Sequence, residues 1–122
     1  MFFNVMAVGI GGFIGSAFRY LTGFLFSNHN FPVHTLFVNV LGAIFIGFIT
    51  GIAEKEGFET ESSVLFWKTG ICGGFTTFST FALESTGLFT EGRTIEAAVY
   101  IVISVLLCIV GVMLGKYISE LI

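Results

Sequence analysis

Long apolar stretches separated by brief polar ones fill this chain, and four of them have the length of a membrane-crossing helix. The first runs from about Val5 to Phe26 and the second from about Thr35 to Ala53. The third covers roughly Val64 to Phe89, and the fourth roughly Ile95 to Ile118. Each meets the roughly 20 residues that a helix needs to cross about 30 Å of hydrocarbon. The connectors are short. Ser27-Asn28-His29-Asn30-Phe31-Pro32 is a turn cluster whose proline stands just before the second span. The strongly charged residues gather in Glu54-Lys55-Glu56-Gly57-Phe58-Glu59-Thr60-Glu61, and Thr90-Glu91-Gly92-Arg93 is a tight loop. The pattern predicts an all-α membrane protein with four transmembrane helices, residues 1–122 forming a single four-span membrane domain.

Composition turns that expectation into an exclusion. Hydrophobic residues make up 55% of the 122 and charged ones 11%, with a mean hydropathy of +0.97. A soluble domain carries about 25% charged residues to keep its surface wet, so a soluble enzyme is ruled out. A net charge of −3 with five Lys and Arg in all leaves no basic patch for a nucleic acid. Cys72 and Cys108 stand in apolar stretches and read as buried thiols, and no Cys/His cluster has metal-ligand spacing. His29 and His34 both fall in one connecting segment, and Met-Phe-Phe-Asn at the start lacks the basic residue of a cleaved signal peptide.

An even number of spans puts both termini on one side, flanked by Lys55, Lys68 and Lys116, with Arg93 and the deeper Arg19 toward the other. Basic residues orient membrane proteins, and so small a bias permits insertion both ways round. Each span carries a Gly-x-x-x-Gly pair: Gly11/Gly15, Gly47/Gly51, Gly70/Gly74 and Gly111/Gly115. Such pairs let helix backbones approach closely in lipid. They predict a tightly packed bundle, too small to enclose a pore, so a conduction path is expected between subunits.

Polar groups are costly in hydrocarbon, and those at membrane depth are the candidates for function. Arg19, within Gly11-Gly12-Phe13-Ile14-Gly15-Ser16-Ala17-Phe18-Arg19-Tyr20, reads either as an anchor snorkelling to the headgroups or as a functional cation. Asn39, in Phe37-Val38-Asn39-Val40, reads either as interhelical glue or as a donor to an anion. In Gly70-Ile71-Cys72-Gly73-Gly74-Phe75-Thr76-Thr77-Phe78-Ser79-Thr80-Phe81, adjacent glycines precede hydroxyl residues interleaved with phenylalanines. That is poor helix material and predicts a broken third helix. Breaks in the bilayer are tolerated where protein or water satisfies the backbone, and they place carbonyls at ion sites. The plainer alternative is a kink with its phenylalanines in ordinary core. Phe78 and Phe81 share a face either way. Tyr100, Ser104 and Cys108 recur every four residues on one face of the last span. They form a polar track, or Ser104 simply bonds back to its own helix. Glu84, far from any loop, suits a wet vestibule.

These motifs resemble those of the Fluc (CrcB) fluoride channels: Gly-Gly-Phe-x-Gly-Ser-Ala-x-Arg-Tyr, then Val-Asn-Val-Leu-Gly, then Gly-Gly-Phe-Thr-Thr-Phe-Ser-Thr-Phe. The likeness extends over the whole chain in motif order and spacing. It implies a dual-topology, antiparallel homodimer in the cell membrane, with two pores that export fluoride passively. It also implies a structural Na⁺ at the dimer centre, held by the backbone carbonyls of Gly73 and Thr76. By the same resemblance Phe78 and Phe81 line the ion path, Asn39 is a pore donor, and Arg19 is a cation near the vestibule. Tyr100 and Ser104 form the polar track. Cys108 stands where a hydroxyl is expected, and a thiol donates more weakly. Two rival readings are a small proton-coupled multidrug antiporter, for which Glu84 is the one available carboxylate, and a non-conducting membrane scaffold.

Overall fold

The computed structural model describes residues 1–26 and 30–122. Helix α1 covers Phe2–Thr22 and tightens into a 3₁₀ turn at Gly23–Leu25. Helix α2 covers Val33–Glu56, directly after Pro32, whose fixed φ is preorganised for a helix start. It ends at Gly57, whose φ of 78° is the left-handed conformation that glycine adopts without steric cost. Helix α3 (Ser62–Leu65) widens into a π turn at Phe66–Cys72, which leads into the short α4 (Gly73–Phe75). After Thr76 and Thr77 come α5 (Phe78–Thr90) and α6 (Thr94–Leu121).

Every regular element among the described residues is helical. Three stretches are long and apolar enough to cross a membrane: Phe2–Leu25, Val33–Glu56 and Thr94–Leu121. They correspond to the first, second and fourth predicted spans. The region predicted as the third is divided among α3, the π turn, α4 and α5, and α5 with 13 residues is shorter than a span requires. His34 lies in the first turn of α2 rather than in the connector, because that helix begins two residues earlier than its hydropathy suggests. Of the expected turn cluster, Ser27, Asn28 and His29 lie outside the described residues.

The glycine pairs mate two by two. On one seam α1 lies against the π turn and α4: a methyl group on Gly11 would strike the Phe66 carbonyl oxygen, and one on Gly15 the Ile71 carbonyl oxygen. A Cβ on Gly70 would sit 2.8 Å from the Cα of Gly11. On the other seam α2 lies against α6, where a methyl on Gly47 would strike the Val112 carbonyl oxygen and one on Gly115 that of Ile44. Close backbone approach of this kind supplies dispersion where lipid removes any hydrophobic drive. The buried core is small, with Val38, Ala53, Ala97 and Tyr100 almost wholly covered, while Phe3, Phe13 and Ile95 point outward. At the exposed helix ends, Lys116 Nζ pairs with Glu54 at 3.2 Å, and Arg93 pairs with Glu91 and Glu96.

The seams predict a sharp contrast between two glycine substitutions. Gly115→Val should destabilise the fold by about 1–3 kcal/mol or more, as overpacking does, because its neighbour is backbone that cannot swing away. Gly9→Ala, with nothing within 4 Å of the added Cβ, should leave the melting temperature unchanged or slightly raised. Thermal unfolding of both purified variants in detergent checks this, and equal melting temperatures would refute the seam.

Candidate functional site

Thr76 and Thr77 leave the helix. Their backbones are extended, at φ −90°, ψ 160° and φ −152°, ψ 121° respectively. Backbone amides at membrane depth need partners within the protein, and one side chain of α2 meets most of that need. Asn39 accepts from the Thr77 N–H through Oδ1 at 2.7 Å and donates through Nδ2 to the Thr77 carbonyl at 3.0 Å. Thr77 then caps α5: its Oγ1 accepts from the Thr80 N–H at 3.1 Å, as an N-cap hydroxyl does. On the other side, Thr76 Oγ1 donates to the Cys72 carbonyl at 2.8 Å, and Arg19 Nε donates to the Gly74 carbonyl at 3.1 Å.

These bonds release two carbonyl groups. In a continuing helix the Thr77 N–H would go to the Gly73 carbonyl and the Thr80 N–H to that of Thr76. Asn39 and the Thr77 hydroxyl have taken those two N–H groups instead. Gly73 and Thr76 both line the adjoining cleft. Gly42, one turn beyond Asn39, allows the approach, since a Cβ there would strike the Thr76 methyl.

The cleft measures about 330 Å³ and gathers most of the residues singled out in the sequence. Asn39, Gly73, Thr76 and Thr77 form one part of its wall, and Phe78, Phe81, Ser104 and Cys108 another. The Ser104 hydroxyl is buried and has no partner among the described residues. It does not bond back to its own helix. The Phe78 and Phe81 rings are 5.5 Å apart and tilted by 47°. Phe81 is 8% exposed and Phe78 79%, so Phe78 projects from the cleft's open side.

Two of the expected residues stand elsewhere. Tyr100 is fully buried and does not line the cleft. Its hydroxyl donates to Glu84 Oε1 at 3.0 Å, and its ring packs on Phe81 at 5.1 Å and Phe31 at 5.4 Å. Arg19 opens onto a second cleft, between the end of α1 and the start of α2. Thr77 is the residue that the sequence reading passed over. Its signal was present, because a hydroxyl three residues before the Thr80 amide is the N-cap pattern.

The fold and site define a multi-pass helical membrane protein with a partly polar cleft set among its spans. Residues 6–116 match the family described as CrcB-like protein, Camphor Resistance (CrcB). The chain belongs to this family. It is 44% identical over 120 residues to the "Fluoride-specific ion channel FluC" of Ruminiclostridium cellulolyticum, covering 96% of this chain and 92% of that relative. It is 38% identical over 120 residues to the protein of the same name from Azobacteroides pseudotrichonymphae, covering 96% of each. To "Fluoride-specific ion channel FluC 3" of Methanosarcina barkeri it is 38% identical over 119 residues, covering 96% of this chain and 90% of that one.

Removing the Asn39 amide should cost stability through Thr77. Asn39→Ala leaves the Thr77 N–H without a partner and its carbonyl with only the first bond of α5, a loss of about 1–3 kcal/mol for the unsatisfied group. Thr77→Ser retains both backbone bonds and the cap, and should melt within a degree or two of the parent. Denaturation midpoints of the two variants measure this, and an unchanged Asn39→Ala midpoint would remove the amide from its supporting role.

Proposed function

We propose that this protein is a fluoride-selective channel through which the ion crosses the membrane passively, relieving fluoride toxicity. The observation that carries the reading is the unpartnered Ser104 hydroxyl, buried in a cleft that it shares with Asn39 and the Phe78–Phe81 pair. A donor held dry in this way costs free energy unless an acceptor comes to it. Fluoride is small and strongly hydrated, so a path for it must replace water with donors. The rings add a second attraction, because an aromatic edge is positive and meets an anion favourably without holding it tightly. Several weak sites in sequence favour passage over trapping. Cys108 continues the track beyond Ser104 with a weaker donor. Tyr100 acts from behind, its ring supporting Phe81 and its hydroxyl holding Glu84.

In this reading α3 through α5 make one interrupted span, and two copies pair antiparallel to close the cleft. The exposure of Phe78 and the near balance of Lys and Arg between the two ends support that assembly. The released carbonyls of Gly73 and Thr76 suit a hard cation, which takes oxygen ligands. A Na⁺ shared between two copies would be held by these carbonyls from each, and when bound it supplies a fixed positive charge that offsets the cost of an anion at depth. Arg19, tied to the Gly74 carbonyl, adds a second cation beside the same backbone.

Fluoride efflux from liposomes, with chloride as the comparison, tests the reading directly. The parent should pass fluoride and retain chloride. Ser104→Ala should slow fluoride by about one to two decades if the hydroxyl serves the barrier, the equivalent of roughly 1–3 kcal/mol. Cys108→Ser should equal or exceed the parent. Parental flux per folded protein in Ser104→Ala would return the stripe to a packing role. A separate measurement addresses the cation: prolonged dialysis against Na⁺-free buffer should weaken both the dimer and its flux, with recovery on adding NaCl. A dimer and a flux indifferent to Na⁺ would count against the site.

A further inference from the structure

The chain has two cysteines, Cys72 and Cys108, 36 residues apart, and hydropathy reads each as an ordinary buried thiol. The fold brings both to the wall of one cleft. Cys72 is the last residue of the π turn, and Cys108 stands in the middle of α6. Neither is in a disulfide; Cys72 is buried and Cys108 half-buried.

Backbone bonds fix where each thiol starts. The Cys72 carbonyl accepts from the Thr76 N–H at 3.0 Å and from the Thr76 hydroxyl at 2.8 Å, which holds that residue one turn before the break. Cys108 belongs to a continuous helix and lies one turn beyond Ser104. There is room beside them, since a Cβ built on Gly73 in the same wall would meet nothing within 4 Å. The Ser104 hydroxyl, unpartnered in a residue 5% exposed, is a separate sign that this space receives a ligand.

The donor set selects the ligand. Among the described residues no three His, Cys, Asp or Glu side chains gather, so a tetrahedral zinc site is not available. Hard cations take oxygen ligands, whereas thiolates select soft ones. Two sulfurs suit a soft cation content with two ligands. Charge points the same way. A divalent cation with two thiolates is neutral, and a net charge at membrane depth is costly.

We propose that Cys72 and Cys108 form a two-sulfur site for a thiophilic divalent cation, which bridges the π turn and α6. Each thiol releases its proton to water as its sulfur bonds the metal, so one cation replaces two protons and no oxidant is needed. The occupied site closes the cleft to an anion. That consequence rests on the fluoride reading; the binding does not.

HgCl₂ is the probe, titrated into the purified full chain in mild detergent and read by the ultraviolet sulfur-to-mercury charge-transfer band. With no other cysteine in the chain, the whole signal arises from these two. The parent should bind one Hg²⁺ per chain and keep it against excess monothiol, because its second sulfur is already in place. Cys72→Ser and Cys108→Ser should each surrender the metal to that competitor, and Cys72→Ala repeats the test if the serine variant fails to fold. Hg²⁺ should also raise the melting temperature of the parent, as a ligand of the folded state does, and of neither single variant. Two Hg²⁺ per chain, each thiol keeping its own when the other is removed, would overturn the bridge. So would a single variant that retains one Hg²⁺ per two chains against the monothiol, since the metal would then join two copies. Fluoride efflux measured with the same competitor present reads the consequence: Hg²⁺ should stop it in the parent and spare both variants. Metal bound with parental flux unchanged would remove the closure, whereas a parent that binds metal and passes no fluoride keeps the site and removes the fluoride reading.

Discussion

The pairing of the Asn39 amide with both backbone groups of Thr77 is the interaction on which the rest of this architecture depends. A chain surrounded by lipid can leave the helix only where its N–H and carbonyl groups find partners inside the protein. Asn39 offers one donor and one acceptor in the right order, so two extended residues persist where a helix would otherwise run on. The consequence is chemical as well as conformational. By capturing the Thr77 N–H, the amide frees the Gly73 carbonyl, and the cap that follows frees that of Thr76. The same turn starts α5 afresh, which sets the direction in which Phe78 and Phe81 project.

That pairing works because the glycine seams place its partners. Close contact of α2 with α6 along Gly47 and Gly115 holds Asn39 and Ser104 to the same cleft, though 65 residues separate them in the chain. Contact of α1 with the π turn and α4 along Gly11, Gly15 and Gly70 brings Arg19 to the Gly74 carbonyl. Gly42 completes the fit by leaving room for the Thr76 methyl. The break is thus held at Thr77 by Asn39 on α2, and the short helix before it at Gly74 by Arg19 on α1. Each seam is backbone against backbone, the tightest approach that two helices can make, and it fixes polar positions to within hydrogen-bond tolerance without a large apolar core.

Much of this was legible in the residues themselves. Three spans, the glycine pairs and the irregular Gly-Gly-Phe-Thr-Thr segment follow from hydropathy, spacing and helix propensity, which are local properties that the lipid environment only reinforces. The motifs that resemble Fluc channels share that character, because each is a short run of contiguous residues. Asn39 was legible as a polar group at depth, and of its two readings the interhelical one describes its bonds to Thr77, made from a position that lines the cleft.

Direction and partnership were decided only by the tertiary structure. The four-residue spacing of Tyr100, Ser104 and Cys108 puts them on one helical face, yet Tyr100 turns to Glu84 while Ser104 and Cys108 face the cleft. A helical stripe has width, and α5 crosses α6 so that Phe81 packs on Tyr100. Whether Ser104 bonds its own helix or stays open was equally undecided by spacing, since both states suit a serine in a membrane helix. The pairing of glycines across helices, the capture of the Thr77 N–H by Asn39 and the bond from Arg19 to the Gly74 carbonyl all join positions distant in the chain. Sequence determines which groups are costly to bury in lipid; packing decides which partner relieves each cost.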